Sequence, residues 1–228
     1  MKAPFVGRVF TLVVLLGCVV WWGVRVSSGH PTEPRGLFPP PAIDEGLSGQ
    51  PGKETAVFAG GCFWGVQGVF QHVKGVKSVA SGYSGGTVAN PYYELVSSGS
   101  IGHAESVQVT YDPSKITYGK LLMIFFSIAH DPTQKDRQGP DIGTQYRSAI
   151  FYQNAEQKRI AEAYIEQINA AKVYGRAIAT EVVPFSAFYQ AEDYHQDYLT
   201  KHPDDRYIQF NDLPKIDRLK KTYPELYH

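Results

Sequence analysis

Cysteine is nearly absent from this chain: among 228 residues only Cys18 and Cys62 occur. They lie in segments of unlike character, so a disulfide framework is excluded and any work done by Cys62 is that of a free thiol. An excess of one charge is also lacking. Lys+Arg and Asp+Glu both number 22, which argues against a nucleic-acid surface or an acidic partner. No set of His, Cys and carboxylate residues has metal-ligand spacing, and no repeat of solenoid period is present. Aromatics, by contrast, are plentiful. With 15 Tyr and 12 Phe, the chain can build the core of about one ordinary domain.

Only one long apolar run exists, Val9 to Val24. It follows Lys2 and Arg8 and is closed by Arg25. Its 16 residues fall short of the roughly 20 that span a bilayer comfortably. Residues 1–26 are therefore expected to be an export signal or membrane anchor rather than fold. Leu15-Leu16-Gly17-Cys18 resembles the lipobox of bacterial lipoproteins; otherwise Cys18 is a small apolar residue of an uncleaved anchor. Both readings place the rest of the chain in the cell envelope or periplasm, tethered to a membrane. Residues 27–52, rich in Pro, Gly and Ser, read as a linker with no reason to pack. The domain is expected over 53–228.

Within it, Ala56–Ala59 reads as a strand, and Val66, Phe70 and Val73 recur at helical spacing after a Gly-Gly-Cys turn. Val76–Tyr83 and the alternating Glu105–Tyr111 read as strands. A helix is expected over Thr117–Ala129, a strand over Ser148–Tyr152 and a helix over Ala155–Ala171. A strand over Ala177–Val183 and a helix over Ala187–Leu199 follow. Thr87–Gly102 and His130–Tyr146 read as polar loops. The order predicts an α+β two-layer sandwich with a ferredoxin-like βαββαβ core, a further helix-strand-helix and a coil-rich C-terminal tail. That tail is expected to carry a short helix near Leu213–Lys221.

Cys62 would sit at a helix start, where unpaired N–H groups and the helix dipole favour a thiolate. Phe63 and Trp64, adjacent on one helical turn, cannot both face the core easily, so they suit the walls of a pocket beside the thiol. Glu105 falls on the apolar face of its strand. It is either solvated at the sheet's mouth or buried with a raised pKa, and in the second case it can donate a proton near neutral pH. Tyr92, Tyr93 and Tyr146 lie in polar loops, where a phenol can orient an oxygen. Asp141 suits a turn or helix cap. His103 and His195 invite a Cys–His nucleophile.

Together, GCFWG (61–65), GYSGG (82–86), NPYY (90–93), GHAE (102–105), HDPTQ (130–134), DIGTQYRSAI (141–150) and AEDYHQDYL (191–199) closely resemble the A-type peptide-methionine (S)-S-oxide reductases. The resemblance runs from about Thr55 to His202. It implies that Cys62 is the nucleophile on the sulfoxide sulfur and that Phe63 and Trp64 hold the substrate methyl. It further implies that Glu105 protonates the oxygen, that Tyr93 and Tyr146 hydrogen-bond it, and that Asp141 and His195 line the substrate site. It implies no cofactor beyond an external thiol. Many members carry resolving cysteines in the C-terminal tail; this tail has none, and a loop position that is Cys in some members is Ser97. The chain thus resembles a one-cysteine variant whose sulfenic acid meets an outside thiol directly, from a thioredoxin-like protein or a small molecule. Free or protein-bound methionine sulfoxide is the expected substrate and a monomer the expected state. Rival readings are a cysteine hydrolase using His195 or His103, and a tethered module that binds oxidised peptides.

Overall fold

The computed structural model describes Met1 and residues 38–228. Apart from Met1, the expected signal or anchor over 1–26 lies outside the described residues, as do residues 27–37 of the expected linker. Among those described, no helix is long and apolar enough to cross a membrane.

Six strands form one sheet: β1 (Glu54–Gly60), β2 (Val76–Ser84), β3 (Ala104–Tyr111), β6 (Ser148–Tyr152), β7 (Glu181–Pro184) and β8 (Phe188–Gln190). Their spatial order is β7-β6-β1-β3-β2-β8. The central run β6-β1-β3-β2 is antiparallel throughout. With helices α1 (Phe63–Gln71) and α3 (Tyr118–Ile124) as its connections, it is the expected ferredoxin-like βαββαβ unit. Helix α4 (Ala155–Ala170) leads to β7, which pairs parallel to β6, and β8 closes the other edge against β2.

Period-two alternation assigns the two faces of β1. Ala56 and Phe58 enter the main core with Val107, Val109 and Tyr111 of β3 and the buried faces of the helices. Val57 and Ala59 turn to a smaller cluster with Ala149 and Phe151, covered by Phe185 and Phe188. Phe58 stacks on both Phe70 and Phe125, at 5.4 and 4.9 Å between ring centres. This is where α1 and the π-helical turn Phe125–Ala129 after α3 meet the sheet.

Five expectations are corrected in detail. The helix expected over Ala187–Leu199 is instead the edge strand β8, a 3₁₀ turn at Asp193–His195 and the short helix α5 (Tyr198–Lys201). Gln196 explains the difference. Its side chain accepts from Ser81 N–H and donates to the Ser81 and Ala191 carbonyls, so the segment is pinned to β2. Asp197 follows at φ 59°, the left-handed region, which ends any continuing helix. The expected strand Ala177–Val183 begins only at Glu181. The loop after His130 contains the small hairpin β4 (Arg137–Gln138) and β5 (Asp141–Ile142), and the loop before Gly102 contains the short helix α2 (Tyr93–Ser97). Residues ahead of Lys53 do pack. Pro39 and Pro40 carbonyls accept from Tyr164 and Gln167 of α4, and Phe38 meets Tyr174 edge-on. Asp44 accepts from Thr117 and from the Gly119 N–H at the start of α3, and Glu45 accepts from the Tyr118 N–H. Composition alone does not show these acceptors finding the orphan donors of a helix N-terminus. The tail helix is α6 (Leu213–Thr222), close to its expected place.

Candidate active site

Strand β1 ends at Gly60, and Gly61 turns the chain into α1 at φ 89°. A Cβ on Gly61 would lie 2.5 Å from the Gln138 side chain, so this turn needs glycine for conformation and for space. The turn sets Cys62 at the N-cap of α1. Glu105, on the neighbouring strand β3, is 3% exposed and accepts the Phe63 N–H at 3.0 Å. A side chain from another strand thus takes the first free donor of the helix that carries Cys62. Burial is the main reason that the Glu105 carboxyl is pushed up to about 8; the Phe63 bond opposes this, and Asp141 and Asp212 add to it. The choice left open by the sequence is resolved in favour of a buried, neutral acid at pH 7.

The thiolate expectation is corrected. Burial pushes the Cys62 thiol well up, and Glu105, Asp212 and Asp141 push it the same way; the Trp64 N–H opposes them. Carboxylates and desolvation outweigh the helix terminus here, so Cys62 rests as a thiol.

All eight sequence-selected residues meet in one place. Tyr93 and Tyr146 are half-buried, and the phenols of both are raised by burial and by the nearby Glu105, Asp141 and Cys62. Their hydroxyls therefore stay protonated and can donate. Phe63 is buried between Tyr83 and His195, with ring centres 5.9 and 4.9 Å away. Trp64 remains part-exposed, stacked on Tyr198 at 3.8 Å, and its indole N–H donates to His195 Nδ1 at 3.1 Å. That bond leaves the proton of neutral His195 on Nε2, 4.0 Å from Glu192 Oε2. Burial also lowers the His195 pKa. His195 is thus held as an orienting ring. His103 is away from this chemistry: it accepts the Gly86 N–H, and its other nitrogen bonds the Val88 carbonyl. A Cys–His hydrolase centred on His103 loses its base. Among the described residues no His, Cys, Asp and Glu are grouped as metal ligands.

Sequence reasoning missed the tail's share. The Tyr207 hydroxyl donates to Asp141, and its ring meets Trp64 edge-on at 6.0 Å. Asp212 is fully buried and bonded to Lys215 Nζ at 3.0 Å. Glu192 accepts from Tyr83 OH and the Tyr93 N–H, fixing the start of α2. The stretch RYIQFNDLPK (206–215), which puts Tyr207, Phe210 and Asp212 close together in a polar tail, was the available signal.

The family profile described as peptide methionine sulfoxide reductase matches residues 54–226. The chain belongs to this family. It is 59% identical over 177 residues to a peptide methionine sulfoxide reductase of Mesorhizobium japonicum, covering 78% of this chain and 91% of the relative. A counterpart from Synechocystis is 53% identical over 174 residues, covering 76% and 81%. Two solved structures share the fold. Reduced Mxr1 of Saccharomyces cerevisiae superposes with a TM-score of 0.61 at 32% identity, covering 72% of this chain and 92% of the other. Methionine sulfoxide reductase A of Corynebacterium diphtheriae gives 0.58 at 38%, covering 79% and 91%. The chain is accordingly an oxidoreductase of the methionine sulfoxide reductase type, on an α+β fold like theirs.

Proposed function

We propose that Cys62 reduces the S epimer of methionine sulfoxide, free or in proteins, through a sulfenic acid on its own sulfur. The observation that carries this reading is the neutral, buried Glu105 carboxyl beside a half-buried thiol. Sulfoxide oxygen leaves sulfur only when protonated, and a carboxylic acid with a pKa near 8 still holds its proton at pH 7.

The step balances as follows. Glu105 gives its proton to the sulfoxide oxygen as the Cys62 sulfur bonds to the substrate sulfur; the substrate's S–O bond and the new S–S bond then break as the hydroxyl passes to the Cys62 sulfur. The thiol proton replaces the one Glu105 gave. The substrate sulfur gains two electrons and becomes a thioether; Cys62 loses two and becomes a sulfenic acid. Tyr93 and Tyr146 hold the oxygen with their hydroxyls, Phe63 and Trp64 form the apolar wall for the methyl, and Asp141 and His195 shape the remainder. A first external thiol then forms a mixed disulfide with Cys62 and releases water, and a second restores the thiol. With no other cysteine in 27–228, that thiol comes from outside, from a thioredoxin-like protein or a small molecule. The N-terminal run supports a place in the cell envelope, anchored at the membrane, where the substrates are oxidised envelope proteins.

The test uses the full chain with dithiothreitol and separate S and R epimers of a blocked methionine sulfoxide, following methionine release. Consumption of S alone, lost in Cys62→Ser, is the expected result. Turnover of neither epimer by folded protein with a titratable Cys62 would end this reading.

A further inference from the structure

The buried motif HDPTQ (130–134) contributes no reacting group, yet it underlies the turn that presents Cys62. Both glycines ahead of Cys62 rest on this motif or on what it holds. A Cβ on Gly60 would fall 3.1 Å from His130 Cγ, and one on Gly61 would fall 2.5 Å from both Cβ and Cγ of Gln138. The Gln138 stem thus touches the backbone of the residue next to Cys62. Its amide is buried and closed on a single residue. Oε1 accepts the Asp131 N–H at 3.1 Å, and Nε2 donates to the Asp131 carbonyl at 3.0 Å. Asp131 is held in turn: its carboxylate accepts from the Thr133 N–H and hydroxyl and from the Gln134 amide. Gln134 Oε1 accepts the Gly139 N–H on the far side of Gln138. The main chain of Gln138 pairs with Asp141 across the β4–β5 hairpin.

An apolar side chain would fill the space under Gly61 as well. What glutamine adds is direction. Two opposed hydrogen bonds to one residue restrict the torsions of a side chain that otherwise rotates freely, and buried bonds of this kind are costly to leave unmade. We infer that Gln138 is a positioning residue of the Cys62 site: its amide locks on Asp131, so that its stem forms a rigid floor for the Gly61–Cys62 turn in register with Asp141. The sulfur needs such a floor. It must meet the substrate sulfur while Glu105 and two phenols meet the oxygen, and misplacement by about 1 Å at a reacting centre costs about 10²-fold in rate. Gly61, at φ 89° and without a side chain, cannot supply that rigidity itself. The inference rests on Cys62 being the reacting thiol of the proposed reduction.

Gln138→Met keeps a stem of similar shape and removes both amide bonds, while the backbone pairing that carries Asp141 stays. Two readouts are taken on the full chain. One is alkylation of Cys62 by iodoacetamide, followed on the Cys62 peptide by mass spectrometry; the other is kcat and KM with the blocked S sulfoxide. Alkylation is expected to be about tenfold faster, because a loosened turn opens the thiol to the probe. Turnover is expected to show kcat about tenfold lower with KM within about twofold of native, because the sulfur is misplaced and the substrate contacts remain. Gln138→Glu keeps only the acceptor for the Asp131 N–H and is expected to fall between, which covers the case where Gln138→Met does not fold. Ile168→Val, a loss of packing on the buried face of α4, controls for general destabilisation and is expected at native values in both readouts. Native-rate alkylation in every folded Gln138 variant, an equal rise in Ile168→Val, or a loss of turnover carried by KM alone overturns the inference and leaves Gln138 a packing residue. Alkylation needs no sulfoxide, so a native chain that turns over neither epimer ends the reductase reading separately.

Discussion

Replacing Glu105 with Gln separates the acid's proton from its shape. The amide oxygen can still accept the Phe63 N–H that Glu105 Oε2 now takes at 3.0 Å, so the N-terminus of α1 keeps its cap. The proton donor is gone. Loss of a positioned general acid costs about 10²–10⁴ in rate, and kcat/KM for the blocked S sulfoxide is expected to fall by about that range. The native pH profile adds a second, opposing check. Glu105 titrates at about 8, so activity should decline above that pH, whereas a rate governed by thiolate alone would climb. Stability should follow the same group. Unfolded, the carboxyl ionises near 4.5; folded, near 8. Between those values the folded state holds the extra proton, so the stabilisation is full below about 4.5 and is lost as pH rises towards 8. A gap of this size corresponds to several kcal/mol at most. Urea unfolding of the native chain should weaken from pH 5 to pH 8, and Glu105→Gln should remove most of that slope. Native-level turnover in Glu105→Gln, or a native rate still rising through pH 8, would refute the reasoning.

Gly61→Ala must place a side chain at φ 89° and 2.5 Å from Gln138. A loss of about 1–3 kcal/mol in urea unfolding is expected, with activity falling as the Cys62 turn shifts. Tyr207→Phe deletes the donor to Asp141; kcat/KM should drop about tenfold while the melting temperature moves little, since the ring still packs on Trp64. His130 is buried, its ring nitrogens bonded to Ser148 and Phe125, and burial brings its pKa down to about 4. Because the unfolded imidazole takes its proton near 6.5, this group's contribution is intact above that pH and disappears as pH falls towards 4. His130→Gln should flatten the acid limb of a stability profile between those values.

The core was legible because two periods carry it. Alternation in Glu105–Tyr111 and the helical spacing of Val66 and Phe70 survive in the structure as one face of β3 and the buried face of α1, with Val73 buried just past the helix's end. The chain from Ala187 to Leu199 was not legible, since its helix-favouring composition yields to long-range bonds from Gln196 and Glu192 that no local pattern announces. The eight selected site residues converge because motif positions carry them. Tyr207, Asp212 and Lys215 escaped notice for a different reason: the tail's bearing on Cys62 depends on where α6 packs, and sequence gave only that a short helix was there. The protonation of Cys62 was misjudged by the same omission, since Asp212 and Asp141 lie 150 and 79 residues away along the chain and act through space.

Residues 39–45 dock on the start of α3 and on α4. Asp44 and Glu45 supply acceptors to the first turn of α3 that α3's own sequence meets only through Thr117. That helix runs on into the Phe125 turn stacked against Phe58, one strand residue short of the Gly-Gly turn that sets Cys62. The stretch ahead of β1 is therefore a brace for the Cys62 turn rather than slack leash. A protein trimmed to its first strand would keep all eight candidate site residues and lose part of what holds them still.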